Sequence, residues 1–229
     1  MLLAAFVWSN ALVEARDTLV VFVRYPTPGS VKTRLAATLG EESAARLYDA
    51  FVRDLVGRFS GARFGVRWAV APPDPGFAGR FGVSPGSCCV QSGDDLGARM
   101  GSAFEQHLAG RGDRCVLIGS DAPQLGVERI EEAFARLDEA DLVLGPAEDG
   151  GYYLIAMKRP FDVFSDIMWS VGSVFEETEK RAAKMGLEVA HLARDFDVDR
   201  IEDVERLRER LAGDRVRCPA TCRVLATTG

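Results

Sequence analysis

The sequence predicts an α/β fold in three layers (α/β/α), with a mainly parallel, mixed sheet between helices. Two observations predict it. Short aliphatic and β-branched runs alternate with segments of helical periodicity along most of the 229 residues, the pattern of right-handed βαβ units. One pair of apolar runs, Asp141–Gly145 and Tyr152–Met157, is joined by too few residues for a helical crossover. Those two cannot be adjacent parallel partners, so the second runs antiparallel or lies elsewhere. With 47% hydrophobic and 27% charged residues, the composition suits one sizeable core.

Each element follows from its own pattern. Thr18–Arg24 (TLVVFVR) is short, apolar and β-branched, a buried strand. Val31–Leu39 and Glu41–Phe59 read as helices, with Leu35, Leu39, Ala45, Leu47, Phe51, Val52 and Leu55 on apolar faces. Phe64–Ala71 is the next strand, and Pro72–Gly86, rich in Pro and Gly, reads as loop. Ser87–Gln91 is a short strand, Asp95–Ala109 a helix, Arg114–Gly119 a strand and Val127–Leu137 a helix. After the two closely spaced strands come a helix over Val174–Met185, a strand over Glu188–Leu192 and a helix over Ile201–Leu211. There is no internal repeat and no domain linker. Residues 1–17 read as an N-terminal extension, 18–212 as one domain and 213–229 as a C-terminal tail.

Composition also excludes. A net charge of −6 argues against a nucleic-acid partner, which needs a basic footprint. No apolar run reaches the roughly 18 residues of a membrane span, so no membrane partner is expected. MLLAAFVWSNALVEA at the N-terminus lacks a basic leading region and reads as a helix or start-site extension. Five cysteines and two histidines form no zinc spacing, and reduced thiols in a cytoplasmic protein are expected. No nucleophile elbow, Walker A loop, H-E-x-x-H or dinucleotide glycine fingerprint is present.

Four stretches carry chemistry. RYPTPGSVKTRL (Arg24–Leu35) leaves a strand and opens a helix, with Pro28-Gly29 turning the chain and Ser30 as an expected N-cap. Lys32 and Arg34 beside that helix start suit phosphate oxygens, or else simply face water. VLIGSDAPQL (Val116–Leu125) ends a strand in Gly119-Ser120-Asp121, with Pro123 holding Ala122 extended. GPAEDGGYYL (145–154) delivers Asp149 to the same carboxyl edge. Its Gly150-Gly151 pair either leaves room for a ligand or only makes an Asp-Gly turn. RDFDVDRIEDVERL (Arg194–Leu207) offers Asp197 and Asp199, and Asp199 reads as a helix N-cap with Glu202 as its capping-box partner. Basic groups for phosphate and acids from strand ends in one crevice would repel a common ligand unless a divalent cation lies between, and carboxylates suit Mg²⁺ or Mn²⁺. The expected chemistry is transfer at a nucleotide phosphate or at the sugar attached to it.

Taken together, PTPGSVKTRL at 26–35, QSGDDLGARM at 91–100, GSDAPQL at 119–125, GPAEDGGYYL at 145–154 and WSV at 169–171 resemble the GT-A-fold nucleotide-diphospho-sugar transferases. The nearest pattern is that of the bacterial subfamily called glycosyltransferases of arsenosugar biosynthesis. The resemblance implies a metal-dependent transferase that moves a glycosyl group from a nucleotide-diphospho-sugar to a small-molecule acceptor. A nucleotidyltransferase, taking an NTP and a phosphorylated small molecule and releasing pyrophosphate, shares the fold. A non-catalytic nucleotide sensor would be the reading of another class. The resemblance further implies nucleotide binding by Arg24, Pro28, Gly29, Lys32, Arg34, Asp95, Arg99 and Ser120. Asp149, Lys32 and Arg34 would take part in the chemistry. Gly150, Gly151 and Tyr152 would face the acceptor, and Asp121, Asp197 and Asp199 would hold the metal; Trp169 and Ser170 are added as acceptor-side candidates on their position, with core packing the other reading of Trp169. The chain departs from the pattern at Arg24 (usually Lys), at Val171 (usually Thr), and at Arg200-Ile201, where Thr-Pro is usual.

Overall fold

A computed structural model describes residues 17–110, 112–169, 172–214 and 216–227; the proposed N-terminal helix or extension over 1–16, together with Ser170 and Val171, lies outside them. In chain order the elements are β1 (Asp17–Val23), α1 (Thr33–Leu39), α2 (Glu41–Phe59), β2 (Gly65–Val70), α3 (Phe77–Phe81), β3 (Cys88–Val90), α4 (Leu96–His107) and β4 (Arg114–Gly119). There follow α5 (Val127–Arg136), β5 (Leu142–Pro146), β6 (Tyr152–Met157), α6 (Val174–Lys184), β7 (Val189–His191), α7 (Ile201–Leu211) and α8 (Pro219–Leu225).

The sheet order is β3-β2-β1-β4-β6-β5-β7, seven strands. Only β6 runs against its neighbours: it lies antiparallel between β4 and β5. The short link between β5 and β6 is therefore a hairpin, which is how two strands too close for a crossover stay adjacent. Alternation along the strands fills both faces of the sheet. On β1, Leu19, Val21 and Val23 pack with α2, α5, α7 and α8, while Val20 packs with α4 and α6. On β4, Val116 and Ile118 take the first face and Cys115 and Leu117 the second. The result is the expected α/β/α sandwich. Because β6 enters from the hairpin, the carboxyl ends of β1, β4 and β5 and the start of β6 all reach one edge.

Some local expectations give way. The helix expected from Val31 starts at Thr33, and Ser30 is not its cap; Ser30 N–H instead closes a turn on the Thr27 carbonyl. The segment expected to be loop over 72–86 contains α3, whose Phe77 and Phe81 are buried with ring centroids 4.7 Å apart. Burial of two phenylalanines one turn apart outweighs the surrounding Pro and Gly. Asp199 does not cap α7. Asp203, in the first turn, accepts from the backbone N–H groups of Arg200 and Asp199 at 2.8 and 3.0 Å, which frees the Asp199 side chain for another partner.

The tail carries a helix that packs on α2. Asp54, buried on α2, accepts from Ala220 N and Thr221 N at the start of α8, both at 2.8 Å. Arg58, one turn on, donates to the carbonyls of Pro123, Leu125 and Arg217. Asp54→Ala removes two charge-assisted bonds and leaves two N–H groups unpaired, and is expected to lower stability by about 2–4 kcal/mol in urea unfolding. Faster proteolytic cleavage between α7 and α8 should accompany it; a change below about 0.5 kcal/mol, the range of an inconsequential surface substitution, would show that α8 hangs on apolar packing alone. Among the described residues, no helix is long and apolar enough to cross a membrane.

Candidate active site

Backbone stitching assembles the site. Val198 N–H donates to the Asp121 carbonyl at 2.9 Å, and Gln124 Nε2 donates to the Phe196 carbonyl at 2.7 Å. These bonds carry the segment before α7 to the end of β4, so Asp197 and Asp199 meet Asp121. The same segment is tied to the β5–β6 hairpin: Asp195 N–H donates to the Pro146 carbonyl and Glu148 N–H to the Asp195 carbonyl, at 3.1 and 3.2 Å. Arg206 grips Glu148 with both terminal nitrogens at 2.5 Å. The hairpin tip that carries Asp149 is thus held against the other acids.

Lys32 is the hub. Its Nζ lies 2.6 Å from Asp121 Oδ1 and 3.0 Å from Asp199 Oδ1, and its side chain is 3% exposed. Burial alone would lower its pKa; the Asp121 and Asp199 carboxylates outweigh that and raise it above the ordinary lysine value, so the group is an ammonium. Its backbone is left-handed, φ 48° and ψ 45°, a conformation uncommon outside glycine and typical of functional strain. The side chain is thereby turned back from α1 onto the acids. Arg34, on the first turn of α1, reaches Asp199 at 3.5 Å and remains largely exposed.

Tyr48 was not singled out by the sequence. It sits on the buried face of α2, and its hydroxyl accepts from Arg24 N–H at 3.0 Å and shares a 2.7 Å hydrogen bond with Ser120 Oγ. It fixes the ends of β1 and β4 relative to one another. Burial foremost, then the Asp121 charge, pushes its hydroxyl up to about 12. No local signal marked it: the buried face of α2 also carries Phe51 and Phe59, so a phenol there reads as core.

Asp149 closes its own turn, with Oδ1 accepting from Gly151 N–H at 3.0 Å. Gly150 has φ +88°, and a Cβ there would fall 2.0 Å from the Gly172 carbonyl oxygen. Both readings of the Asp-Gly-Gly stretch therefore hold part of the truth: it is a turn, and its acid lines a cleft. Asp197 is the half-buried counterpart. Burial first, then the charges of Asp121, Asp149 and Asp199, opposed by Lys32, raise its carboxyl to about 7.

These groups line one cleft of about 830 Å³. Of the residues expected in a site, Arg24, Lys32, Arg34, Arg99, Ser120, Asp121, Asp149, Gly151, Tyr152, Trp169, Asp197 and Asp199 face it. Pro28, Gly29 and Gly150 shape turns beside it without lining it. Asp95 is a correction: it is the N-cap of α4, accepting from Ala98 N–H at 2.8 Å, and it lines a neighbouring groove instead. Ser170 lies outside the described residues. The expected metal set is also modified. Among the described residues no group of three or more His, Cys, Asp or Glu side chains is arranged to hold an ion alone, and the Lys32 ammonium sits between Asp121 and Asp199.

Comparison with known proteins shows the fold and the family. A family described as an uncharacterized protein conserved in bacteria (DUF2064) matches residues 64–171. No curated protein matches the chain. Among solved structures, one from Desulfovibrio desulfuricans G20, provisionally named a nucleotide-diphospho-sugar transferase, is 33% identical over 93% of this chain and 95% of its own, with a TM-score of 0.87. A cytidylyltransferase from Leptospira borgpetersenii is 11% identical, covering 93% of each chain at a TM-score of 0.56. A CMP:2-keto-3-deoxy-manno-octonic acid synthetase complexed with CTP is 13% identical, over 86% of this chain and 98% of that one, at 0.51. The last two share the fold.

Proposed function

The chain belongs to the family of the Desulfovibrio protein, the nucleotide-diphospho-sugar transferases, and from that premise we propose that its cleft moves a glycosyl group from a nucleotide-diphospho-sugar to a hydroxyl of a small-molecule acceptor. The enzyme is of the glycosyl- or nucleotidyltransferase type. One observation carries the finer reading: Arg24, Lys32, Arg34 and Arg99 share a single cleft with Asp121, Asp149, Asp197 and Asp199.

The arginines and Lys32 offer forked and point-charge donors to the diphosphate. Asp149 takes the proton from the acceptor hydroxyl as that oxygen bonds to the anomeric carbon. The bond from that carbon to the phosphate oxygen breaks, and the nucleoside diphosphate leaves with the electron pair. The residues present fit a divalent ion. Mg²⁺ is commonly held by one or two carboxylates plus phosphate oxygens rather than by a complete protein cage, and Asp121, Asp149, Asp197 and Asp199 bring four carboxylates to one cleft whose Lys32 ammonium engages only Asp121 and Asp199 among the described residues. Asp121 and Asp197 are the proposed ligands, with Mg²⁺ or Mn²⁺ supplying charge neutralisation for the leaving diphosphate.

Differential scanning with nucleoside diphosphates and nucleotide sugars, with and without Mg²⁺ or Mn²⁺, tests this. A ligand at a hundredfold its dissociation constant should stabilise by roughly 2.7 kcal/mol, and only when metal is present. Turnover should then release nucleoside diphosphate. Release of pyrophosphate from an NTP would establish nucleotidyl transfer instead, and an unmoved melting temperature with every phosphorylated ligand would overturn both.

A further inference from the structure

Tyr48 and Ser120 together hold one hydrogen-bond donor that the protein leaves unused. Both residues line the cleft, and each is only 3% exposed. A hydroxyl offers one hydrogen and two acceptor positions. Tyr48 Oη accepts from Arg24 N–H at 3.0 Å, which takes up a lone pair and no hydrogen. The 2.7 Å bond between Tyr48 Oη and Ser120 Oγ takes up one of their two hydrogens, whichever side donates. Neither hydroxyl has a further hydrogen bond among the described residues, so one hydrogen is left over. Donation from Tyr48 to Ser120 gives the phenol one accepted and one donated bond and leaves the idle hydrogen on Ser120. The reverse would make the phenol accept twice with its own hydrogen idle. A buried donor without a partner is costly, and the cleft is where an acceptor can enter.

The sheet fixes where that hydrogen sits. Phe22 and Gly119 are register partners on the parallel strands β1 and β4, so Arg24 and Ser120 leave neighbouring strand ends. Tyr48 reaches both from α2, with its ring packed in the core. Asp121 follows Ser120, and its Oδ1 is taken by Lys32 at 2.6 Å. Arg24 and Lys32 line the same cleft. A neutral O–H beside Asp121 can bond an anionic oxygen without adding a charge that would repel a metal ion.

We infer that Tyr48 is a positioning residue: by accepting from Arg24 and donating to Ser120, it aims the Ser120 hydroxyl at an oxygen of the diphosphate held in the cleft. The inference rests on the transferase reading above. It goes beyond that reading by assigning a hydrogen-bond relay that runs from the buried face of α2 to the ligand.

Isothermal titration of the whole protein with pyrophosphate and with ADP, CDP, GDP and UDP, each with Mg²⁺, tests it in Ser120→Ala, Tyr48→Phe and the double variant. Ser120→Ala is expected to weaken pyrophosphate and the tightest-binding nucleotide alike, by about 10-fold or more, because a hydrogen bond to a charged group is lost. Tyr48→Phe keeps the hydroxyl and loses its aim, and should weaken both by about 3- to 10-fold. The double variant should lie within about twofold of Ser120→Ala, since the phenol acts only through the serine; two independent structural defects would multiply instead. Ser120→Ala keeps the bond from Arg24 N–H to Tyr48, so it reads the donor even where Tyr48→Phe folds poorly. Affinities of Ser120→Ala within about twofold of the unmodified protein, multiplying losses in the double variant, or a loss seen with nucleotides and not with pyrophosphate overturns the inference. In each of those cases the unmodified protein still binds a diphosphate and the transferase reading stands. If it binds none of these probes, both fall.

Discussion

Lys32→Met is expected to cut transfer by about 10²–10³-fold, the loss typical of one preorganised donor to developing charge, while strengthening the binding of free Mn²⁺ by at least about tenfold. The two effects have one cause. Nζ, 2.6 Å from Asp121 and 3.0 Å from Asp199, occupies the position a cation between those acids would take. A unit charge about 4 Å from a dication is worth between roughly 2 and 8 kcal/mol, depending on how much water intervenes, so relief of that repulsion toward an incoming Mn²⁺ exceeds tenfold even at its low end. On the proposed mechanism the Lys32 ammonium would exchange its carboxylate partners for phosphate oxygens when nucleotide binds. Free metal should thus bind weakly to the unmodified protein and tightly only with nucleotide. Met keeps the length of the side chain and carries a similar penalty for the left-handed backbone, so the comparison isolates charge. The fold should survive, because Asp121 and Asp199 are 44% and 43% exposed and can be resolvated. Titration of Mn²⁺ by electron paramagnetic resonance, beside a nucleotide titration, reads both limbs. Unchanged Mn²⁺ affinity, with transfer within about threefold of the unmodified enzyme, would reduce Lys32 to a structural pin; a threefold change is below 1 kcal/mol.

That residue also shows what a sequence can and cannot carry. PTPGSVKTRL declared an anion-suited loop, and the strand ends in GSDAPQL and GPAEDGGYYL declared acids at the same edge. Topology follows from alternation, and the edge follows from topology. The β5–β6 spacing excluded a parallel pair, and the hairpin answers it. Pairing was not legible. Periodicity ran α1 back to Val31, because a left-handed Lys32 is imposed by acids far along the chain rather than by local propensity. Asp199 looked like a cap because Asp and a following Glu are the signature of one. Asp203 won the backbone instead, and Asp199 went to Lys32. Asp95 looked like a ligand because it stands in a motif, yet an N-cap bond took it. Tyr48 could not be read at all, since its significance lies in joining Arg24 to Ser120 through space.

The hairpin tip allows chemistry and architecture to be separated by two adjacent substitutions. Asp149→Asn should lower transfer by about 10²–10⁴-fold, the usual contribution of a positioned general base, with the melting temperature unmoved. The amide oxygen of Asn can still accept from Gly151 N–H, the 3.0 Å bond that Asp149 Oδ1 makes now, so the turn is preserved and only the charge is lost. Nucleotide binding should persist, since Arg24, Lys32 and Arg34 are untouched. Gly150→Ala should do the reverse of a clean catalytic defect. Its φ of +88° strains any side chain, and the new Cβ would lie 2.0 Å from the Gly172 carbonyl, where backbone has to move. A loss of roughly 1–3 kcal/mol is expected from the strained backbone alone, with lost transfer as a consequence of a displaced hairpin. Phe175 N–H, which donates to the Gly150 carbonyl at 2.9 Å, would be carried along, so α6 should show faster amide exchange. Transfer by Asp149→Asn within about threefold of the unmodified enzyme, less than 1 kcal/mol on the barrier, would mean that Asp149 serves only the turn. The proton from the acceptor would then need another destination, and among the cleft acids Asp197, already held near 7, is the group that would have to be tested next.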